Sequence, residues 1–331
     1  MNNIHEVDEQ MENSVSRNVS RYLRGLAILI VLASHYAEWM YVEPAFPLIR
    51  HCIGTWGPPG VDIFFLLSGY GLYKSYKQSG GIDKEFIIKR LLAVYLPYLI
   101  LALMLCVYHG DLFFKDFAGI VEFFTAGEFW FLNVMLVMYL MFIVCFAFFK
   151  KAAFPIMLAL SIAHSLYLHL SGHMDFWTLS NHSFVLGAAA AAAEIRFSKL
   201  YTRRNLLIVT LCAFAGAVLA FFVMQKNGGS GIVESYEAEL VMNVFISTAV
   251  MSGAYLLPDV ELRLLGMIGE ASLFIYVLHT TMFYAIIFKL ERLGYTLGTV
   301  ITGVITMTAA VLLFKLYSIF SKSVLKRIRK K

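Results

Sequence analysis

Ten stretches of about 20 residues in this chain are almost wholly apolar, and no other feature limits its fold so strongly. A helix needs ~20 apolar residues at ~1.5 Å rise each to cross ~30 Å of hydrocarbon. The stretches lie near 21–41, 57–75, 87–108, 129–149, 153–171, 178–194, 205–224, 239–257, 265–289 and 296–320. The 331 residues are 60% hydrophobic and 15% charged, whereas a soluble domain holds roughly a half and a quarter. An excess of apolar residues on this scale excludes a disordered chain, a disulfide scaffold and a collagen-like repeat. The predicted fold class is therefore an all-α polytopic membrane protein with about ten transmembrane helices. The sixth stretch, ending GAAAAAAE, is short and is expected to be tilted or to pack tightly between neighbours. No internal repeat or Ser/Gly-rich linker divides the chain. It reads as a polar N-terminal tail (1–20), one transmembrane domain (21–320) and a basic C-terminal tail (321–331).

Charge fixes the expected orientation. With the N-terminus in the cytoplasm, 21 of the 27 Lys and Arg fall in inner segments and 5 in outer loops, leaving Lys315 within the last span. Positive residues accumulate on the cytoplasmic side, so both termini are expected there. The first twenty residues hold no apolar core of a signal peptide, and the first span is expected to be its own insertion signal. The net charge of +5 reads as topology, not nucleic-acid binding, because no internal Lys/Arg run forms a phosphate track. The four cysteines lack metal-ligand spacing and read as small buried hydrophobes, so no metal is expected.

Ionisable residues inside spans mark candidate chemistry, because burying charge in hydrocarbon is costly. The first span carries Arg24 one turn from its inner end and His35 eleven residues later, a rise of ~16 Å. At that separation the two cannot bond each other. They suit opposite ends of one elongated ligand: a pantetheine arm has that reach, with phosphates for a bidentate guanidinium and a thioester for a histidine that titrates near neutrality. Arg24 also fits a snorkelling anchor. The second span, GPPGVDIFFLLSGYGLYKSY, places Asp62 about as deep as His35, where a carboxylate would orient the imidazole. Glu38, one turn beyond His35, competes for that role, and Asp62 also fits a charge complementing the helix dipole. Ser68, Gly69 and Gly71 fit close helix packing or chemistry.

The runs RGLAILIVLASH, GVDIFFLLSGY, FIIKRLLAVYLPY, FWFLNVMLVMYL and IGEASLFIYVLHTTMFY stand in this order from Arg24 to about Tyr284. Together they resemble the acyltransferase family 3 membrane proteins, mostly bacterial integral-membrane O-acyltransferases. The family's arginine, ten residues, then essential histidine fall here on Arg24 and His35. Its R-x-x-R pair at the start of the third helix keeps Arg90 but has Ala93 at the second position, with Lys89 adjacent. Trp130, Tyr139 and His279 match recurrent positions of the fourth and ninth helices.

The resemblance implies an enzyme of the bacterial inner membrane that moves an acyl group, expected to be acetyl, from cytoplasmic acetyl-CoA or another acyl-CoA. The acceptor would be a hydroxyl of a cell-envelope or exported glycan, for example a lipid-linked saccharide. Arg24, Lys89 and Arg90 would form the donor mouth, and His35 would act as general base or carry the acyl group itself. The expected partners are acyl-CoA, the glycan and membrane lipids; the donor is a substrate, and no resident cofactor is implied. The rival class is a transporter or flippase of glycans or small solutes, which usually shows paired Gly- or Pro-broken helices; here Pro97 has no counterpart in a second half. The topology is open to direct test. Single cysteines near Gln78 and Arg203 should be shielded from an impermeant thiol reagent in intact cells, and one near Asp175 should react. The reverse pattern would overturn the orientation.

Overall fold

A computed structural model describes residues 14–39, 57–109, 130–172, 176–227, 232–287, 289–290 and 294–328. Every regular element among them is helical. The helices are α1 (Arg17–Trp39), α2 (Gly57–Gln78), α3 (Lys84–Arg90), α4 (Leu96–His109), α5 (Trp130–Val144), α6 (Ala153–Leu170) and α7 (Phe176–Leu179). They continue with α8 (Asn181–Arg196), α9 (Arg203–Asn227), α10 (Ile232–Ala254), α11 (Arg263–Glu270), α12 (Ser272–Ile287) and α13 (Tyr295–Ile328). Four described helical runs are long and apolar enough to cross a membrane: Lys84–Met104, Trp130–Leu170, Arg203–Val223 and Thr296–Arg327. The pair α11 and α12 makes a fifth if it counts as one span.

Two helical runs carry an interruption, one where two spans were expected and one where a single span was. Trp130–Leu170 is a 41-residue helical run, which at 1.5 Å per residue is ~60 Å, the length of the two crossings expected near 129–149 and 153–171. It passes through a π turn at Cys145–Phe149 and a 3-10 turn at Lys150–Ala152, with Lys150 at φ 41. The stretch 265–289, expected to be one straight span, is instead broken at Ala271, where α11 and α12 bend by 74°.

The chain forms two compact units, Met1–Leu23 with Pro58–Ile82 and Val134–Leu262, and Arg24–Gly57 with Asp83–Asn133 and Arg263–Lys331. In the first, glycine permits a very close crossing of α2 and α8. A Cβ at Gly69 would run into the Phe184 carbonyl, and one at Gly187 into the Leu66 carbonyl. Small residues permit such backbone approach in hydrocarbon, where apolar side chains gain little by leaving lipid. The alanine-rich α8 accordingly buries Ala188 and Ala191 completely. A polar hub braces the same unit. Glu194 of α8, 4% exposed, accepts from the Tyr70 hydroxyl (2.6 Å), the Tyr255 hydroxyl (2.8 Å) and the Lys74 ammonium (2.6 Å). Tyr70 in turn accepts the Val15 amide at 3.1 Å. A buried carboxylate holds its place only when donors surround it in this way.

In the second unit, α12 packs most extensively on α13, and Phe274 of α12 lies against the rings of Phe314 and Tyr317. Pro97 has no N–H for the Ala93 carbonyl four residues before it, and the chain passes this point as a π turn at Leu91–Tyr95. The Tyr317 hydroxyl donates to the Leu92 carbonyl within that turn. In its N-terminal half α1 comes so close to α11 that a Cβ at Gly25 would meet the Leu265 carbonyl.

Gly69→Ala should overpack the α2–α8 crossing and cost about 1–3 kcal/mol, read as a lower apparent Tm of the purified protein. Gly71→Ala, where a Cβ meets nothing within 4 Å, should leave Tm unchanged or slightly raised. Equal effects of the two would show that the crossing is not a tight one.

Candidate functional site

The histidine singled out in the first span has a partner 244 residues away. His35 Nδ1 lies 2.7 Å from His279 Nε2, in the second unit, and the two rings lie nearly parallel (14°) with centroids 5.0 Å apart. His279, on α12, is 2% exposed, and its Nδ1 is 2.5 Å from the Tyr276 carbonyl one turn earlier. His35 is half-buried.

These contacts order the protons when both rings are neutral. A carbonyl oxygen only accepts, so His279 must carry its proton on Nδ1 and donate it to Tyr276. The lone pair of its Nε2 then accepts the Nδ1 proton of His35. Nε2 of His35 is left as that ring's acceptor nitrogen, the form a general base requires. The α1 segment carrying His35 is seated by Tyr36, whose ring packs 4.8 Å from that of Phe283 on α12.

An aromatic series continues from the pair within the same unit. The Tyr276 ring lies 5.6 Å from that of His279 and 5.0 Å from that of Phe131, and Trp130 sits edge-on to Phe131 at 6.2 Å. His35, His279 and Trp130 are thus brought into one array. Tyr139 is not part of it: it lies in the first unit, its ring 5.8 Å from that of Phe184.

The expected donor residues share the second unit with His35. Arg24 is half-buried beside the Gly25–Leu265 approach. Lys89 is ion-paired with Glu85 at 2.9 Å, one turn away on α3. Arg90 places its guanidinium 4.3 Å from the ring centre of the fully buried Phe86, a cation–π contact. Ala93 is exposed in the π turn.

Asp62 lies in the first unit, completely buried, and Oδ1 accepts the Ser183 hydroxyl at 3.1 Å. Ser247 Oγ and His182 Nε2 approach the same hydroxyl at 2.9 and 3.1 Å. Among the described hydrogen bonds, then, the carboxylate expected beside His35 pairs with Ser183, and the imidazole with His279. Ser68 is half-buried on α2, and the Glu38 side chain lies outside the described residues. Sequence reasoning missed the Tyr276 carbonyl and the Ser183 cluster. It also did not join His35 to His279. A signal for that join was present: eight of the nine histidines fall in outer loops or in the middle and outer parts of the predicted spans. No group of three or more His, Cys, Asp or Glu able to hold a metal occurs among the described residues.

No curated protein and no solved structure matches the chain. The sequence profile of acyltransferase family 3, described as an acyltransferase domain, matches residues 20–315. That interval contains Arg24, His35 and His279 and covers nearly all of the helical core. The chain belongs to acyltransferase family 3, the membrane acyltransferases.

Proposed function

We propose that this acyltransferase is an O-acyltransferase of the bacterial inner membrane with ten spans and both termini in the cytoplasm. It takes an acyl group, acetyl in the first instance, from cytoplasmic acyl-CoA and places it on a hydroxyl of a cell-envelope or exported glycan. The observation that carries this is the proton order along His35, His279 and the Tyr276 carbonyl, which leaves Nε2 of His35 as an acceptor.

In the transfer, Nε2 of His35 removes the proton of the glycan hydroxyl as that oxygen attacks the thioester carbonyl. The new C–O bond forms and the C–S bond breaks. The His35 imidazolium returns the proton to the departing thiolate, so the imidazole is regenerated and free CoA leaves. His279 is a positioning residue: it holds the tautomer and plane of His35 through one bond, and its own through the Tyr276 carbonyl. Arg24, ~16 Å further in along α1, meets the donor's phosphates with a bidentate guanidinium. Arg90 and Lys89 line the approach, Lys89 by exchanging Glu85 for phosphate.

His35→Gln should reduce transfer by about 10²–10⁴-fold, the contribution of a positioned general base, with insertion and acyl-CoA binding intact. His279→Phe keeps a flat ring but removes the acceptor; kcat should fall by a smaller factor at unchanged KM for acyl-CoA. In ¹⁵N spectra of histidine-labelled protein, His35 should lose its Nδ1–H signature in that variant. Substantial activity in His35→Gln would remove the base from the mechanism, and an unaltered His35 tautomer in His279→Phe would remove the positioning role.

Arg24→Lys keeps the charge and loses the fork. KM for acyl-CoA should rise about ten-fold or more, as expected for loss of a charge-assisted bond of ~1.5–3 kcal/mol. Wild-type kinetics would make Arg24 a membrane anchor only.

A further inference from the structure

The first unit holds a cavity of about 800 Å³ that acyl transfer does not use, a volume well inside the range of ligand sites. Four cations from three segments line it: Lys77 at the end of α2, Lys150 and Lys151 in the 3-10 turn before α6, and Arg196, the last residue of α8. Among the described residues no acidic side chain lines it. Nor has any of the four a described carboxylate within salt-bridge distance, whereas Lys74 and Lys89 each have one. The N-terminus of α6 reaches the same rim through Phe154. Its cap residue, Ala152, offers no side-chain acceptor, so the positive end of this 18-residue helix adds to the field of the lysines.

Within two turns of the cations, towards the helix interiors, the wall is aromatic and aliphatic. The Phe146 ring lies 5.6 Å from that of Tyr73 and 5.2 Å from that of Phe154, and Ala189, Ala192 and Ala193 of α8 complete the lining. Beside the rim, Phe148, Phe149, Ile195 and Phe197 are exposed, Phe148 by 77%. In a chain that spans a membrane, large apolar side chains exposed near helix ends stand in hydrocarbon, and the cations beyond them stand at the level of the lipid phosphates. The cavity is therefore cationic at headgroup level and apolar at acyl-chain level.

An acid-free ring of cations calls for a phosphate-bearing anion, and an apolar wall continuous with lipid-facing residues calls for hydrocarbon joined to it. We propose that the cavity binds an anionic phospholipid, its phosphate held by Lys77, Lys150, Lys151 and Arg196 and the start of its acyl chains against Phe146 and the alanines of α8. In the proposed orientation these helix ends face the cytoplasm, so the lipid belongs to the cytoplasmic leaflet. It joins the ends of α2 and α8 to the start of α6. The site lies wholly within the first unit and uses none of the residues assigned to acyl transfer. A zwitterionic lipid shares the phosphate and the chains, but its own cation is repelled by the four on the protein. A free phosphate ester shares the anion and lacks the hydrocarbon.

The test uses the full chain, purified in a neutral detergent, with short-chain phosphatidylglycerol as the probe. Calorimetric titration should show saturable binding that weakens with added salt and raises the apparent Tm. Short-chain phosphatidylcholine should bind about ten-fold more weakly or worse. Lys150→Gln with Lys151→Gln should weaken phosphatidylglycerol binding about ten-fold or more. Arg196→Gln should weaken it as well, each variant keeping the wild-type Tm without the probe. Lys150→Arg with Lys151→Arg, which keeps both charges, should retain binding. Lys322→Gln with Lys326→Gln, near the end of α13 in the second unit, removes as much charge and should leave binding unchanged. Equal affinity in wild type and the cavity variants would overturn the location. An equal loss in the α13 variant would reveal diffuse attraction to a basic protein and overturn the site. Glycerol phosphate binding as tightly as the lipid would make this a site for soluble phosphate and overturn the lipid. None of these readouts is transfer activity, so loss of the proposed function would leave the lipid site standing, and the reverse.

Discussion

Hydrocarbon offers no hydrogen bonds, so every backbone amide and carbonyl in the spanning part must find its partner within the protein. That requirement makes the described chain helical and governs where its irregularities sit. The π turn just before Pro97 is covered by the Tyr317 hydroxyl, which donates to the Leu92 carbonyl. The close crossing of α2 and α8 lies where both helices present glycine to the other's backbone. Where a carboxylate is buried, as at Glu194, three donors surround it.

The same accounting separates bracing from chemistry. Glu194 has its oxygens occupied by two tyrosines and a lysine, which suits a brace and leaves little capacity for a substrate. His35 is different. One nitrogen is committed to His279 and fixes the ring, while the other keeps acceptor character. In the first unit, Asp62 is held by hydroxyls, with Ser183 on Oδ1 and Ser180 beside it.

Helical class was legible because it follows from local properties, and so was the choice of Arg24 and His35 as candidates. Apolar length gives spans, and an ionisable residue within a span stands out against its neighbours. Arg24 and His35 were found in this way, and the family motif falls on the same two positions. What escaped was everything set by rotation about helix axes. His35 and Asp62 share an estimated depth, but depth says nothing of the direction in which a side chain points, and His279 faces His35 from a helix 244 residues away. The break at Ala271 was equally hidden, since the local sequence GEAS holds no proline and the 74° bend depends on packing. Lys150 and Lys151 did mark an interruption near 150, because two adjacent charges end an apolar run.

The bond from His279 to the Tyr276 carbonyl spans only three residues of one helix. Its geometry is therefore written into a single turn of α12 and needs no neighbouring helix to form. A segment entering the bilayer during synthesis can fold this turn before its partners arrive, satisfying one imidazole nitrogen while the rest of the protein is still unassembled. The other nitrogen lies 3.5 Å from the Thr280 hydroxyl of the same helix and 2.7 Å from His35 of α1. The bond to Tyr276 is thus made within one helix, whereas the contact with His35 joins residues 244 apart in the sequence and forms only when α1 and α12 pack together.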